Sequence, residues 1–198
     1  MKGKCIGLNI ILLAVLLILP FQVLAGGAKD TIETQVNKML TQMKSPEFKA
    51  LDREAQVNEI SKTINEVFDW QELSRRTLGR EWRKFSPEQQ KEFVSLFEKL
   101  LQGTYADRVL AYTSEKIEFG KETELNKSRV EVESYIVTLD NKKIPLFYRL
   151  TDKSGQWRVY DVVIEGISMV KNYRGQFREI LKTKKPEDLL QILREKTK

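Results

Sequence analysis

Residues Trp157 to Phe177, WRVYDVVIEGISMVKNYRGQF, turn from strand to helix at Glu165-Gly166, and no other stretch limits the fold so tightly. In Trp157–Ile164 bulky residues fall on both alternating rows. Trp157, Val159 and Val163 share one row; Tyr160, Val162 and Ile164 share the other. A strand that is apolar on both faces is covered on both faces. From Ile167 the period becomes helical, with Ile167, Val170, Tyr173 or Arg174, Phe177 and Leu181 three or four apart. Gly166 supplies the backbone freedom that the switch needs. Taken alone, the run describes a core strand joined to a core helix.

Helices dominate the chain upstream. Ile32, Val36, Met39, Leu40 and Met43 form one stripe between Asp30 and Lys44, and Ser45-Pro46-Glu47 stops it. A second helix covers about Asp52 to Phe68, with Val57, Ile60, Ile64, Val67 and Phe68 on its face. Asp69 is placed to cap a short helix that ends at Gly79. Ser86-Pro87-Glu88-Gln89 is the clearest local signal: a capping Ser, Pro at the first helical position and Gln completing a capping box. The helix it opens runs to about Tyr112, roughly 39 Å at about 1.5 Å per residue. Phe93, Phe97, Leu101, Tyr105 and Val109 recur along it at four-residue steps, widened by Leu96, Leu100 and Tyr112. Gly103 in its interior costs about 1 kcal/mol against Ala and is expected to mark a bend or a close approach. A core helix and a helix facing a cavity demand the same apolar residues, so the stripe fits both.

Four strands are expected after this helix: Lys116 to Phe119, Arg129 to Leu139, Lys143 to Thr151, and the strand of the opening run. Val130, Val132 and Ile136 share a row in the second; Ile144, Leu146, Tyr148 and Leu150 share a row in the third. Pro145 lacks an N–H, which points to an edge or bulge position. Asp140-Asn141-Lys142 and Asp152-Lys153-Ser154-Gly155 are short turns, so at least the last three strands form an antiparallel meander. A last helix carries Leu189, Leu190 and Leu193 after Pro186. Helices segregated from strands make an α+β domain.

Residues 1–25 read as a secretory signal peptide, with Lys2 and Lys4, an apolar stretch from Ile6 to Leu19 and small residues ending at Ala25. The rival reading is an uncleaved membrane anchor, for which the stretch is short against about 20 apolar residues. Residues 26–198 are then a single domain, with no repeat or linker to divide it. The only Cys, Cys5, lies in the leader, and the chain has no His. This excludes disulfides, thiol nucleophiles, His-based acid–base catalysis and the usual Cys/His zinc or copper sites from the mature chain. An enzyme would have to work with carboxylate, Lys or Tyr. Thirty-four basic residues against 28 acidic ones give a net charge of +6 spread along the chain. Without an arginine-rich block or a recognition motif, this does not point to nucleic acid.

The run "WRVYDVVIEGISMVKNYRGQF", with "LGREWRKFSPEQQKEFVSLFEKLL" upstream, resembles the MlaC family of periplasmic phospholipid-binding proteins, also called toluene-tolerance proteins. The likeness runs from about Ile32 to about Arg194. It implies a curved antiparallel sheet of about four strands with several helices over its concave face, enclosing an apolar lipid cavity. It also implies a shuttle that carries phospholipid between an outer-membrane lipoprotein complex and an inner-membrane ABC transporter with a lipid-binding ring. Such a shuttle maintains outer-membrane lipid asymmetry, with no catalysis and no cofactor. About 30 methylenes in two tails, at about 0.8 kcal/mol each, would cost roughly 24 kcal/mol in water, so a carrier needs a closed apolar interior. The long helix and the sheet rows nominate Phe97, Leu101, Tyr105, Val109, Ile136, Tyr148, Val163, Ile167 and Val170 as its lining.

Asp161 and Arg174 match charged positions of the same run. An acid in an apolar strand is costly unless paired, so Asp161 is expected to meet Arg174, Arg158 or backbone donors, in a structural role. Trp82, Arg80 and Arg83 in "LGREWR" are read first as packing and bracing, with a headgroup contact from Arg as the other reading. Two further functions stand beside the phospholipid shuttle: a carrier of another lipid such as a hopanoid, and a carboxylate-dependent lipid-modifying enzyme built on Asp161.

Overall fold

The computed structural model describes residues 27–111 and 116–198. The leader expected at residues 1–25 and the expected helix end at Tyr112 lie outside them. The helices are α1 (Ala28–Lys44), α2 (Pro46–Lys49), α3 (Arg53–Val67), α4 (Trp70–Leu78), α5 (Pro87–Ala111), α6 (Met169–Leu181) and α7 (Pro186–Lys196). A 3-10 turn, Gly79–Lys84, joins α4 to the loop before α5. Strands β1 (Lys116–Asn126), β2 (Arg129–Val137), β3 (Lys143–Lys153), β4 (Gln156–Ile164) and β5 (Ile167–Ser168) form one antiparallel sheet in sequence order.

Side-chain caps set the helix starts. Asp52 accepts the Ala55 N–H at 2.8 Å and Asp69 accepts the Glu72 N–H at 3.0 Å. Ser86 and Gln89 form the expected reciprocal box: Ser86 Oγ accepts from Gln89 N at 3.2 Å, and Gln89 Oε1 accepts from Ser86 N at 3.1 Å. Gly79, at φ +58°, ends α4 in a backbone region that favours glycine. A Cβ at Gly103 would meet nothing within 4 Å, so the close approach expected there is absent and α5 continues through it.

The sheet has five strands where about four were expected. Glu165 (φ +50°) and Gly166 (φ +80°) make a two-residue hairpin loop of the kind that matches strand twist. The chain therefore returns as β5 before the helix begins. Ser168 caps α6 by accepting the Lys171 N–H at 3.1 Å. Ile167 is consequently an exposed edge residue, not the first core position of α6. β1 is longer than Lys116–Phe119. Its second half is exposed and charged, an edge strand with little to bury and hence no apolar alternation to reveal it. Pro145 lies in an interior strand, at the end of the β3–β4 ladder. Its carbonyl accepts the Glu165 N–H at 2.9 Å, so its missing N–H falls beside the hairpin loop, where a ladder bond is least needed.

One irregularity redirects β4. The β3–β4 register shifts between Arg149 and Leu150: Arg149 pairs with Asp161 but Leu150 with Val159, leaving Tyr160 as an extra residue. Such a bulge switches the row of everything beyond it. Trp157, Val159, Val162 and Ile164 therefore join one core. Asp161 and Val163 point to the other side of the sheet.

Two packed regions result. In the helical region, α4 to α7 close around Phe85, Phe93, Phe97, Tyr173 and Phe177, with Leu189, Leu190 and Leu193 from α7. Ring centroids lie 5.0 Å (Phe97–Tyr173) to 5.8 Å (Phe85–Phe93) apart, mostly edge to face, the geometry aromatic pairs prefer. In the other region α1 lies on the sheet: Ala28, Ile32 and Val36 meet Val130, Val132, Tyr148 and Leu150. Met43, Phe48 and Ile60 tie α1, α2 and α3 together at its end, with Val109 and Leu110 of α5 packed on them.

Candidate functional site

Between the sheet and the helices α1, α3 and α5 the side chains stop short of filling the space. They leave a cavity of about 230 Å³; with its mouth and the open space before it, the hollow measures about 1420 Å³. Ile32, Val36, Met39 and Leu40 of α1 and Val57, Ile60, Ile64 and Val67 of α3 form one wall. Leu101, Tyr105 and Val109 of α5 form the second. Ile117, Ile136, Leu146, Tyr148, Val162 and Ile164 of the sheet form the third, and Phe68, Trp70 and Met169 line the rest.

The chemistry of this lining is nearly pure hydrocarbon. Among the described residues it holds no acid and one base, Arg108; the other polar contributors are Gln35, Ser61, Thr63, Gln102 and the two tyrosines. Burial pushes the Tyr148 phenol well above its usual range, and burial together with nearby Tyr173 raises that of Tyr105. Both stay neutral at physiological pH. The pocket's one charged lining residue, Arg108, is exposed, and its walls suit saturated or unsaturated chains.

The sequence-nominated residues divide. The structure brings Leu101, Tyr105, Val109, Ile136 and Tyr148 together on the cavity wall. Phe97 and Val170 lie in the helical core instead, Phe97 one turn of α5 before the lining Leu101 and Val170 next to the lining Met169. Val163 faces away because of the bulge at Tyr160, and Ile167 is exposed on β5. The largest omission is the α1–α3 wall. Its residues were visible as apolar stripes, but a stripe does not say whether it faces protein or a void.

Asp161 lies outside the cavity, behind the sheet. It is 3% exposed. It accepts Ser168 Oγ at 2.6 Å, the Val170 N–H at 3.0 Å and Arg149 Nη1 at 3.2 Å. Arg149 also holds Glu131 at 2.7 Å. A carboxylate at the first turn of α6 complements the helix dipole. The backbone-donor part of the expectation is met, whereas the base is Arg149, not Arg174 or Arg158. Arg174 donates instead to the Arg76 carbonyl at 2.6 and 2.9 Å, tying α6 to α4. Arg158 donates to the Glu66 carbonyl. In the "LGREWR" segment, Trp82 packs on the helical core and its carbonyl accepts Gln90 Nε2 at 3.0 Å, a brace across the turn before α5.

Both sequence and fold relate the chain to known proteins. The model of the family described as "MlaC protein" matches residues 33–195. The intermembrane phospholipid transport system binding protein MlaC of Haemophilus influenzae is 32% identical over 108 residues, covering 50% of each chain. The toluene tolerance protein ttg2D of Pseudomonas putida is 24% identical over 123 residues, 62% of this chain and 57% of that one. The chain thus spans about half the length of the curated relatives it matches. The structure of a phospholipid-binding protein from Ralstonia solanacearum, solved in complex with a phospholipid, superposes with a TM-score of 0.79 at 25% identity, covering 87% of this chain and 97% of that one. With a family match across most of its length and a fold shared with a phospholipid-binding protein, the chain belongs to the MlaC protein family.

Proposed function

We propose that this protein is a periplasmic phospholipid carrier, exported by a cleaved signal peptide. In this reading it passes lipid between a lipoprotein complex at the outer membrane and an inner-membrane ABC transporter with a lipid-binding ring. The observation that carries this reading is the cavity walled by α1, α3, α5 and the sheet, with a lining that is mostly apolar and holds no acid. A pocket of this chemistry offers acyl chains an interior close to the bilayer they leave, so transfer in either direction is near balance. The structural relative with a bound phospholipid supports the same cargo here. Among the described residues no helix is long and apolar enough to cross a membrane.

Carriage is favoured over catalysis by the placement of acids. Asp161, the one acid of Trp157–Ile164, is engaged by three donors behind the sheet, and the cavity lining holds no acid. Asp161→Asn should therefore leave lipid uptake intact. The test of the carrier itself is native mass spectrometry of the mature protein purified without detergent, followed by lipid extraction. A stoichiometric phospholipid adduct is expected. A polycyclic lipid in its place would move the cargo to the hopanoid class. An empty protein that also takes no phospholipid from vesicles would overturn the reading.

A further inference from the structure

The positive charge that runs along the sequence is gathered by the fold. Trp70–Lys84, which forms α4 and the 3-10 turn, and Met169–Lys185, which forms α6 and the linker after it, hold eleven bases against three acids. The rest of residues 26–198 holds 21 bases against 25 acids. The two segments lie side by side. Arg174 of α6 donates to the Arg76 carbonyl at 2.6 and 2.9 Å, and its Nε is 3.8 Å from where a side chain at Gly79 would begin. On α6, Lys171, Arg174, Arg178 and Lys182 follow at steps of three and four, along one flank, while Asn172, Gln176 and Glu179 take the other. The three acids are engaged: Glu72 by Arg75 and Arg76, Glu81 by Lys84, and Glu179 by Lys182. Arg80, Arg83, Lys171 and Arg178 are exposed and form no ion pair among the described residues.

We infer that this basic face docks on an anionic bilayer surface. The inference goes beyond the carrier reading, since it names the surface the protein approaches whatever it carries. A bilayer is favoured over a protein partner by the lack of an apolar centre. Protein interfaces bury aromatic or aliphatic anchors at their core and leave charge to the rim. The large apolar side chains exposed among the described residues, Leu51, Leu125, Leu139 and Ile167, all lie outside both segments. Long bases without fixed partners answer the diffuse charge of a lipid surface, and each that reaches it is worth about fivefold in binding. The face also adjoins the cavity. Trp70 and Met169, at the starts of α4 and α6, belong to its lining, and Lys171 follows Met169 by two residues. Docking here holds that end of the cavity close to the lipid.

The test is flotation of the mature protein with vesicles of phosphatidylcholine, alone or mixed with phosphatidylglycerol. Lipid taken up as cargo leaves the protein off the vesicle, so flotation reads docking alone. At low salt the protein should rise with the phosphatidylglycerol vesicles only. Salt at about 1 M, where the screening length is about 3 Å, should release it. Arg80→Gln, Arg83→Gln, Lys171→Gln and Arg178→Gln, made together, should lower binding at least about twentyfold. Lys44→Gln, Lys49→Gln, Lys99→Gln and Lys127→Gln, exposed positions outside the face, remove the same net charge and should cost less than about threefold. Arg80→Gln with Arg83→Gln alone should fall between the two. Equal losses in the two fourfold variants, or binding to both kinds of vesicle alike, overturn the docking face. So does a lack of binding to phosphatidylglycerol vesicles at low salt, which would turn the face toward an acidic protein surface. Lipid loading, read separately by native mass spectrometry, tests the carrier reading and not this one.

Discussion

The two halves of α5 carry the same apolar period and do different things. Phe93 and Phe97 are completely buried against Phe177 and Tyr173, with rings 5.0 to 5.6 Å apart and no space between them. Tyr105 and Val109, two and three turns further on, face the hollow beneath α1 and α3. Leu101 belongs to both, packed in the helical core and lining the cavity. What differs is the opposing surface. The first half meets aromatics and leucines from α6 and α7 that interdigitate. The second half meets medium-sized aliphatic side chains from α1, α3 and the sheet across the hollow. A helix can therefore serve as structural core and as binding wall without any change in its own pattern.

The difference should show in how each region answers the same insult. Phe97→Ala should cost the most, about 4 kcal/mol, because a rigid aromatic cluster cannot collapse around the hole; urea unfolding would measure it. Asp161→Ala comes next. It strips Arg149, Ser168 and the Val170 N–H of their shared acceptor at the junction between the two regions, for about 3 kcal/mol. A loss under 1 kcal/mol would mean that the junction is not where sheet and helices are locked together.

A paired test sharpens the contrast. Leu189→Trp in the helical core should cost about 2 kcal/mol through overpacking. Ile136→Trp, pointing into existing space, should cost less than about 1 kcal/mol yet sharply lower the lipid recovered from vesicles. Equal destabilisation at the two sites would contradict the view that only one region is open. The smallest effect belongs to Tyr148. Burial holds its folded value above its unfolded one, so the unfolded chain releases this proton first. Its contribution to stability is complete below about pH 10 and is lost as pH rises above that. Tyr148→Phe should flatten the fall in urea midpoint between pH 9 and pH 11, with little change at pH 7.

Much of this contrast was written in local signals. The capping box at Ser86–Gln89, the stop at Gly79 and the helical stripes are decided by residues a few positions apart, and they appear where the chain predicts them. The cavity was legible only in part. Tyr105, Val109, Ile136 and Tyr148 could be nominated from their rows, but Phe97 and Val170 obey the same period and lie in the solid core. Val163 was nominated but faces away, because a bulge at Tyr160 depends on cross-strand register, which no single strand encodes. The Arg149 partner of Asp161 likewise comes from the neighbouring strand. The hairpin at Glu165-Gly166 was the one miss with a local signal, since Glu-Gly between apolar runs also serves as a tight turn.

The most direct test is photocrosslinking with a phospholipid that carries a diazirine near the end of one acyl chain. The protein is loaded from vesicles and the labelled residues are mapped by peptide mass spectrometry. Labelling should fall on the second half of α5 and its facing wall, at Tyr105, Val109, Ile136, Tyr148 and the α1 residues Val36, Met39 and Leu40, and should spare Phe93 and Phe97. Labels on Phe93 or Phe97, or confined to the outer surface, would contradict the division of α5 into a closed half and an open one.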